Sequence, residues 1–257
     1  MPETPKTFCK APFSSSVIST DGALLPCCEY MTNESNDPVY RLDSQNKSTF
    51  KEWWEKGLDP LRQRMLKGEV DPGCNYCISK EKNTGLGHHR KVMNARISAD
   101  YEKIKNDYHA GKKNYPSIVE LRIGNFCNLK CIMCGPYASS SLDAEYKMNR
   151  DKFDRLGIHS SSVNGDWYKH GHNKDPVLDV VANAREINFG GGEPFISPWI
   201  IEILQAIDPK TPLQFNTNMT KINHKVIDAL EKFDSVYIIA SIDGVGQHNN
   251  YLRHGSD

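Results

Sequence analysis

The sequence predicts an α/β protein in two parts: a mostly parallel sheet with helical crossovers in the second half, and a small α+β unit ahead of it. Three observations carry that expectation. From Ser117 onward, short β-rich runs alternate with amphipathic helical stretches, the pattern of successive βαβ units. The eight cysteines fall into two groups, one ending at Cys77 and the other beginning at Cys127. The longest apolar run, Val236–Ala240, is far short of the roughly 20 residues that cross a bilayer.

Composition narrows the function classes. Thirty-two Lys and Arg balance 32 Asp and Glu, which implies no strong footprint for nucleic acid or another polyanion, and the short apolar runs imply no membrane span. The first residues, Met1 to Cys9, have neither the basic nor the apolar region of a secretory signal. We therefore expect a cytoplasmic protein. There, eight cysteines point to metal ligands or reactive thiolates rather than to a disulfide framework.

The first unit, residues 1–90, opens with Phe8-Cys9 and then two short strands, 16–19 and 23–27, about the tight turn Asp21-Gly22. A helix is expected over 49–56, stopped by Gly57. A second follows with Asp59 as N-cap, Pro60 at the first helical position and Gly68 as its stop. Asp71-Pro72-Gly73 then turns the chain into Cys74 and Cys77. Residues 91–115 serve as a connector, with a solvated helix over 99–108. His88 and His89 in the preceding stretch read as solvated loop residues.

The second unit, residues 116–257, presents strands at 118–123, 186–189, 213–216 and 235–240, with helices at 198–207 and 221–233. Ile222, Val226, Ile227 and Leu230 mark the apolar face of the last helix. Right-handed crossovers make the four strands parallel neighbours. The long stretch 136–184 is expected to hold one helix and an irregular lobe, with His170 and His172 in a polar loop.

Two motifs carry chemistry. Cys127, Cys131 and Cys134 stand at CxxxCxxC spacing directly after the first of these strands, where α/β barrels place their active sites. Three thiolates on a metal centre leave a coordination position open. A structural zinc site would need a fourth ligand, which is not supplied locally. The second motif, Gly190-Gly191-Gly192-Glu193-Pro194, follows the next strand. Its glycines let a ligand approach the backbone, and Pro194 holds Glu193 extended. Alone, that motif is equally well read as a strand-ending turn.

Together the motifs resemble the radical S-adenosylmethionine (SAM) superfamily, over about residues 115–257. Asn216-Thr217-Asn218 after the third strand, and Ser241 to Gly244 with Arg253 at the fourth, agree in order. The resemblance implies a partial (βα)6 barrel, truncated after about four strands, so that two further βα units are expected and the chain reads as a fragment. It implies that Cys127, Cys131 and Cys134 hold a [4Fe-4S] cluster with an open iron, and that Gly191, Gly192 and Glu193 engage the SAM amino group. Asn216, Asn218 and Ser241 would make polar contacts to SAM, and Arg253 would meet its carboxylate. The implied activity is reductive cleavage of SAM to a deoxyadenosyl radical that abstracts hydrogen from a substrate. A one-electron reductant protein is the implied partner. Met133 departs from the aromatic residue that many members carry before the last cysteine.

Cys9, Gly22, Cys27 and Cys74-x-x-Cys77, with Phe8, Pro12 and Phe13, resemble a twitch or SPASM auxiliary iron–sulfur domain, placed here before the barrel rather than after it. Cys9, Cys27, Cys74 and Cys77 would bind an auxiliary [4Fe-4S] cluster and leave Cys28 spare, although Cys27 and Cys28 are interchangeable by spacing. That domain type points to a peptide or protein side chain as substrate, with carbohydrate as runner-up. An inactive scaffold that keeps the fold and a zinc-stabilised structural protein are the competing classes.

Overall fold

In the computed structural model the described residues are 4–32, 40–42, 50–85, 89–112, 115–157 and 165–256. A short helix α1 (Ala11–Ser14) leads into β1 (Ser15–Ile18) and β2 (Leu24–Leu25), antiparallel neighbours that turn at Gly22. Gly22 has φ 78°, and a Cβ there would collide with the Leu42 carbonyl oxygen. The Asp21-Gly22 hairpin is therefore fixed by both its sequence and its surroundings.

The helix expected at 49–56 is α2 (Phe50–Glu52), running on as a single π turn over Trp53–Gly57 that buries both tryptophans. Thr49 lies outside the described residues. Helix α3 (Asp59–Lys67) follows and stops at Gly68, which adopts the left-handed conformation. Asp59 is not its N-cap as expected. The π turn continues so directly that Leu58, bonded through its N–H to the Trp53 carbonyl, takes that position.

Helices α4 (Asn75–Thr84), α5 (His89–Arg96) and α6 (Tyr101–His109) complete the first part. The expected solvated helix is α6, and it is half-buried: Tyr101 and Ile104 enter the core.

The second part contributes β3 (Ile118–Arg122), a short β4 (Lys130–Cys131), β5 (Glu186–Gly190), β6 (Leu213–Thr217), β7 (Val236–Ala240) and a short β8 (Arg253–His254). The main sheet runs β2-β1-β3-β5-β6-β7. Five of its strands are parallel rather than the four expected, because β1 pairs with β3, Val17 opposite Glu120. One apolar cluster runs from Phe8 to Val226, so the two parts share a core.

Alternation along the strands gives the sheet two different faces. Val119, Leu121, Ile187, Phe189, Leu213 and Phe215 are fully buried on one, with the Phe189 and Phe215 rings stacked at 4.5 Å. Glu120, Arg122, Asn188, Gln214 and Asn216 stand on the other. Strand β7 ends the described sheet, with Tyr237, Ile238 and Ile239 exposed.

The stretch 136–184 holds more helix than expected: α7 (Ser140–Met148), α8 (Arg150–Arg155) and α9 (Gly171–Asn183). Val177, Val180 and Val181 of α9 recur at helical spacing and are buried. His170 and His172 do not form a loop. They flank the start of α9, rings stacked at 6.1 Å. Helices α10 (Ile200–Ala206), α11 (His224–Leu230) and α12 (Gln247–Leu252) complete the set. Only Val226 of the predicted face of α11 is fully buried, and Ile222 and Ile227 are exposed.

Trp167, just before α9, is 1% exposed and packs its ring against Gly22 of the first hairpin. It thereby ties the two parts together. Trp167→Ala is expected to destabilise the fold by roughly 3–5 kcal/mol, read as a lowered midpoint in urea unfolding with native helical content at zero urea.

Candidate active site

The main site lies at the carboxyl ends of β3, β5 and β6, where parallel strands gather the loops that follow them. After β3, Gly124 takes φ 72°, and the chain enters the three-cysteine loop. Serines brace this loop: Ser139 donates to the Leu129 carbonyl at 2.6 Å, Ser141 donates to the Cys127 carbonyl at 2.8 Å, and the Cys127 N–H donates to Ser140 Oγ at 3.1 Å. The sequence offers little sign of this bracing. The usable signal is Ser139 as N-cap of α7, where its hydroxyl accepts from the Leu142 N–H.

The glycine motif packs directly on this loop. The Gly192 and Glu193 N–H groups donate to the carbonyls of Gly124 and Phe126, at 3.4 and 2.6 Å. A Cβ on Gly192 would strike the Phe126 carbonyl oxygen, and Gly191 adopts φ 99°. Both glycines are required by backbone geometry.

Glu193 is 2% exposed, and its carboxylate is fully engaged. Oε1 accepts from Thr217 Oγ1 at 2.8 Å and from the Phe195 N–H at 3.1 Å, and Oε2 accepts from the Asn218 N–H at 2.6 Å. Burial raises its pKa, and these donors offset part of that rise. The carboxylate therefore joins the end of β5 to the end of β6.

Asn218 extends the chain of contacts to the thiols. Its Nδ2 lies 3.9 Å from Cys127 Sγ and donates to Asn128 Oδ1 at 3.2 Å. From the other side β8 pairs with β4, Arg253 opposite Cys131. Arg253 Nη1 lies 3.9 Å from Cys131 Sγ, and Arg253 Nε stands 2.6 Å from Asp243 Oδ2. That last contact is an ion pair without hydrogen-bond alignment.

Asn216 and Ser241 are placed differently. Asn216 is exposed on the polar face of the sheet beside Gly190, and Ser241 bonds through its backbone to Thr217. Among the described residues neither side chain has a hydrogen bond to protein. Next to Asn218, an open cavity of about 1120 Å³ is bounded by Met219, Ile242, Asn249, Tyr251 and His254.

The three thiols lie close enough that ionisation of one opposes the others. Burial raises Cys127, and raises Cys134 to about 11. Such thiols stay neutral until a metal displaces their protons.

The second cysteine set lies in the first part. Cys9, Cys27, Cys74 and Cys77 line one small pocket, with His89 and Arg90 at its side. Asp71, fully buried, shapes it by accepting from the Gly73 N–H at 2.9 Å and from Arg64 Nε at 2.6 Å. Arg90 pairs with Glu81 and donates to the Phe8 carbonyl at 3.1 Å. Burial pushes Cys9 up to about 11 and Cys27 well above the ordinary thiol range.

Cys28 does not join this pocket. Its Sγ lies 3.6 Å from His89 Nε2, so His89 is a contact of the fold rather than a solvated loop residue. His88 lies outside the described residues. The donor chemistry fits iron–sulfur clusters: thiols alone, three on the loop that packs against the glycine motif and four around one small pocket. Among the described residues, no three His, Cys, Asp or Glu side chains converge on a point for a single metal ion.

Comparison with known proteins bears on both sites. Residues 9–78 match SPASM, an iron–sulfur cluster-binding domain, and residues 121–255 match the radical SAM superfamily. No curated protein matches the chain. Among solved structures, Streptococcus suis SuiB is similar at 16% identity and TM-score 0.35, over 93% of this chain and 48% of that one. SuiB bound to S-adenosylmethionine gives 14% and 0.34, over 93% and 49%. SuiB bound to precursor peptide SuiA gives 18% and 0.35, over 93% and 51%. The chain thus spans about half the length of these structures. The superfamily match extends over more than half of the residues, and the chain belongs to the radical SAM superfamily, with iron–sulfur clusters and SAM as its cofactors and a SPASM-type unit ahead of its barrel.

Proposed function

We propose that this chain forms the catalytic part of an enzyme that cleaves SAM reductively and abstracts hydrogen from a peptide or protein side chain. The observation that carries the reading is the junction of the three-thiol loop with the glycine motif on one side and with Asn218 on the other. Cys127, Cys131 and Cys134 would hold the cluster whose open iron takes SAM. Cys9, Cys27, Cys74 and Cys77 would hold the auxiliary cluster. Cys27 is favoured over Cys28 because it lines the pocket with the other three.

When bound, the site cluster supplies one electron to the SAM sulfonium, which breaks to methionine and a carbon radical able to take a hydrogen atom from substrate. The residues of the chain orient and shield. Gly191 and Gly192 bring backbone close to where the SAM amino group would lie. Glu193 holds that backbone and the end of β6 in one frame, while Asn218 and Arg253 flank the sulfurs. The electron would come from a reductant protein. The peptide substrate is supported by the SPASM-type unit. A cytoplasmic setting is supported by eight cysteines that form no disulfide.

The test is release of deoxyadenosine on dithionite reduction of the anaerobically reconstituted protein. Wild type is expected to release it, and Cys131→Ala is expected to release none while keeping the iron of the first part. Undiminished release by that variant, or none by wild type holding both clusters, would overturn the reading, the latter in favour of an inactive scaffold.

A further inference from the structure

The amino-terminal ends of the same strands border a cavity that the radical chemistry does not use. It has a volume of about 760 Å³ and lies between α6 and the starts of β3 and β5, bounded by Ser117, Ile118, Arg185 and Glu186. The cysteine loop and the glycine motif leave the other ends of these five-residue strands, about 15 Å away along the strand.

Its charge is lopsided. Arg62, Arg96, Arg185, Lys103 and Lys112 line it against only Asp107 and Glu186, in a chain whose charges balance as a whole. The two carboxylates are already engaged: Glu186 pairs with Arg96, and Asp107 takes both lysines. Arg62 and Arg185 have no carboxylate partner among the described residues.

Arg62 is the informative residue, because it is 4% exposed. Its Nε donates to the Pro12 carbonyl at 2.8 Å, its Nη1 donates to the Trp54 carbonyl, and its guanidinium lies 4.4 Å from the Trp54 ring centroid. Its third nitrogen, Nη2, has no hydrogen-bond partner among the described residues. Burial lowers its pKa to about 10. The Asp59 carboxylate favours its charge without forming an ion pair with it; holding a guanidinium out of water without a paired anion is costly, and a planar fork of this kind matches an oxyanion. Phe13, Trp54, Ile97 and Ile104 form an apolar part of the wall, beside the polar Ser98, Tyr108, Tyr115 and Asn183.

We propose that this cavity binds a small organic anion, its carboxylate or phosphate groups on Arg62 and Arg185 and its apolar body against Ile97, Ile104 and Trp54. The site is separate from both cysteine sets and requires neither metal nor SAM.

The test is calorimetric titration of the purified full chain with phthalate and, separately, with phenyl phosphate, with neutral phthalamide as control. At least one anion is expected to bind with Kd below about 1 mM and phthalamide not at all. Binding of phthalate alone would identify the carboxylate class, and of phenyl phosphate alone the phosphate class. Arg185→Ala, which breaks no ion pair among the described residues, is expected to weaken binding by about tenfold or more. Arg62→Lys, which keeps the charge and loses the fork, should also weaken it. Three results would each overturn the proposal: no anion bound at about 10 mM, affinity unchanged in Arg185→Ala, or inorganic phosphate binding as tightly as either organic anion.

Discussion

Replacing Cys127, Cys131 and Cys134 together by alanine is expected to halve the iron of the anaerobically reconstituted protein, from about eight to about four per chain. The basis is that the two cysteine sets are braced separately. The site loop is held by Ser139 to Ser141, the glycine motif and β8, whereas the pocket of the first part is held by Asp71, Arg64, Arg90 and Glu81. No brace of one set is a brace of the other, so emptying one should leave the other loaded. Iron and acid-labile sulfide, measured with zinc on the same samples, decide the matter. Loss of all iron in the triple variant would mean that the sets are interdependent. Stoichiometric zinc without sulfide would remove the cluster assignment altogether.

Glu193→Ala should be the most damaging single change in the barrel. It strips the acceptor from Thr217 Oγ1 and from the N–H groups of Phe195 and Asn218. An orphaned buried donor costs roughly 1–3 kcal/mol, so three of them consume a large share of a total stability of about 5–15 kcal/mol. Glu193→Gln keeps the volume and one acceptor oxygen. We expect it to fold, with a lowered melting temperature and weakened SAM binding, because Asn218 loses its anchor. SAM binding by equilibrium dialysis and thermal unfolding on the same samples check both halves. A Glu193→Gln protein with wild-type SAM affinity would show that the carboxylate does not position the site.

The second half of the fold was legible because its signals are local. The apolar residues of β3, β5 and β6 alternate at period two, and the motifs follow each strand at once. What escaped was set by distant partners. β1 reads as half of a hairpin, and nothing in Ser15–Ile18 announces that its other edge pairs with residues a hundred positions on. The stretch 136–184 reads as one helix and an irregular lobe because α7 and α8 are short and polar, yet Val177, Val180 and Val181 carry the spacing of a buried helical face. At the site the cysteines and glycines could be read from spacing. The engaged carboxylate of Glu193 and the ion pair of Arg253 with Asp243 could not, because each depends on where another loop ends.

The pairing of Lys130 and Cys131 with His254 and Arg253 also bears on the order in which the site is built. Contacts so far apart in sequence close slowly, since the intervening chain must first be organised. In this chain that intervening segment is β5, β6 and β7 with their helices. The thiols therefore reach their final positions only after the sheet has formed and residue 253 has left the ribosome, whereas every thiol of the first pocket is available by residue 77. The order of assembly is thus constrained by where each set finds its braces: those of the first pocket, Arg64, Asp71, Glu81 and Arg90, all precede residue 91, whereas the site loop waits for residue 253.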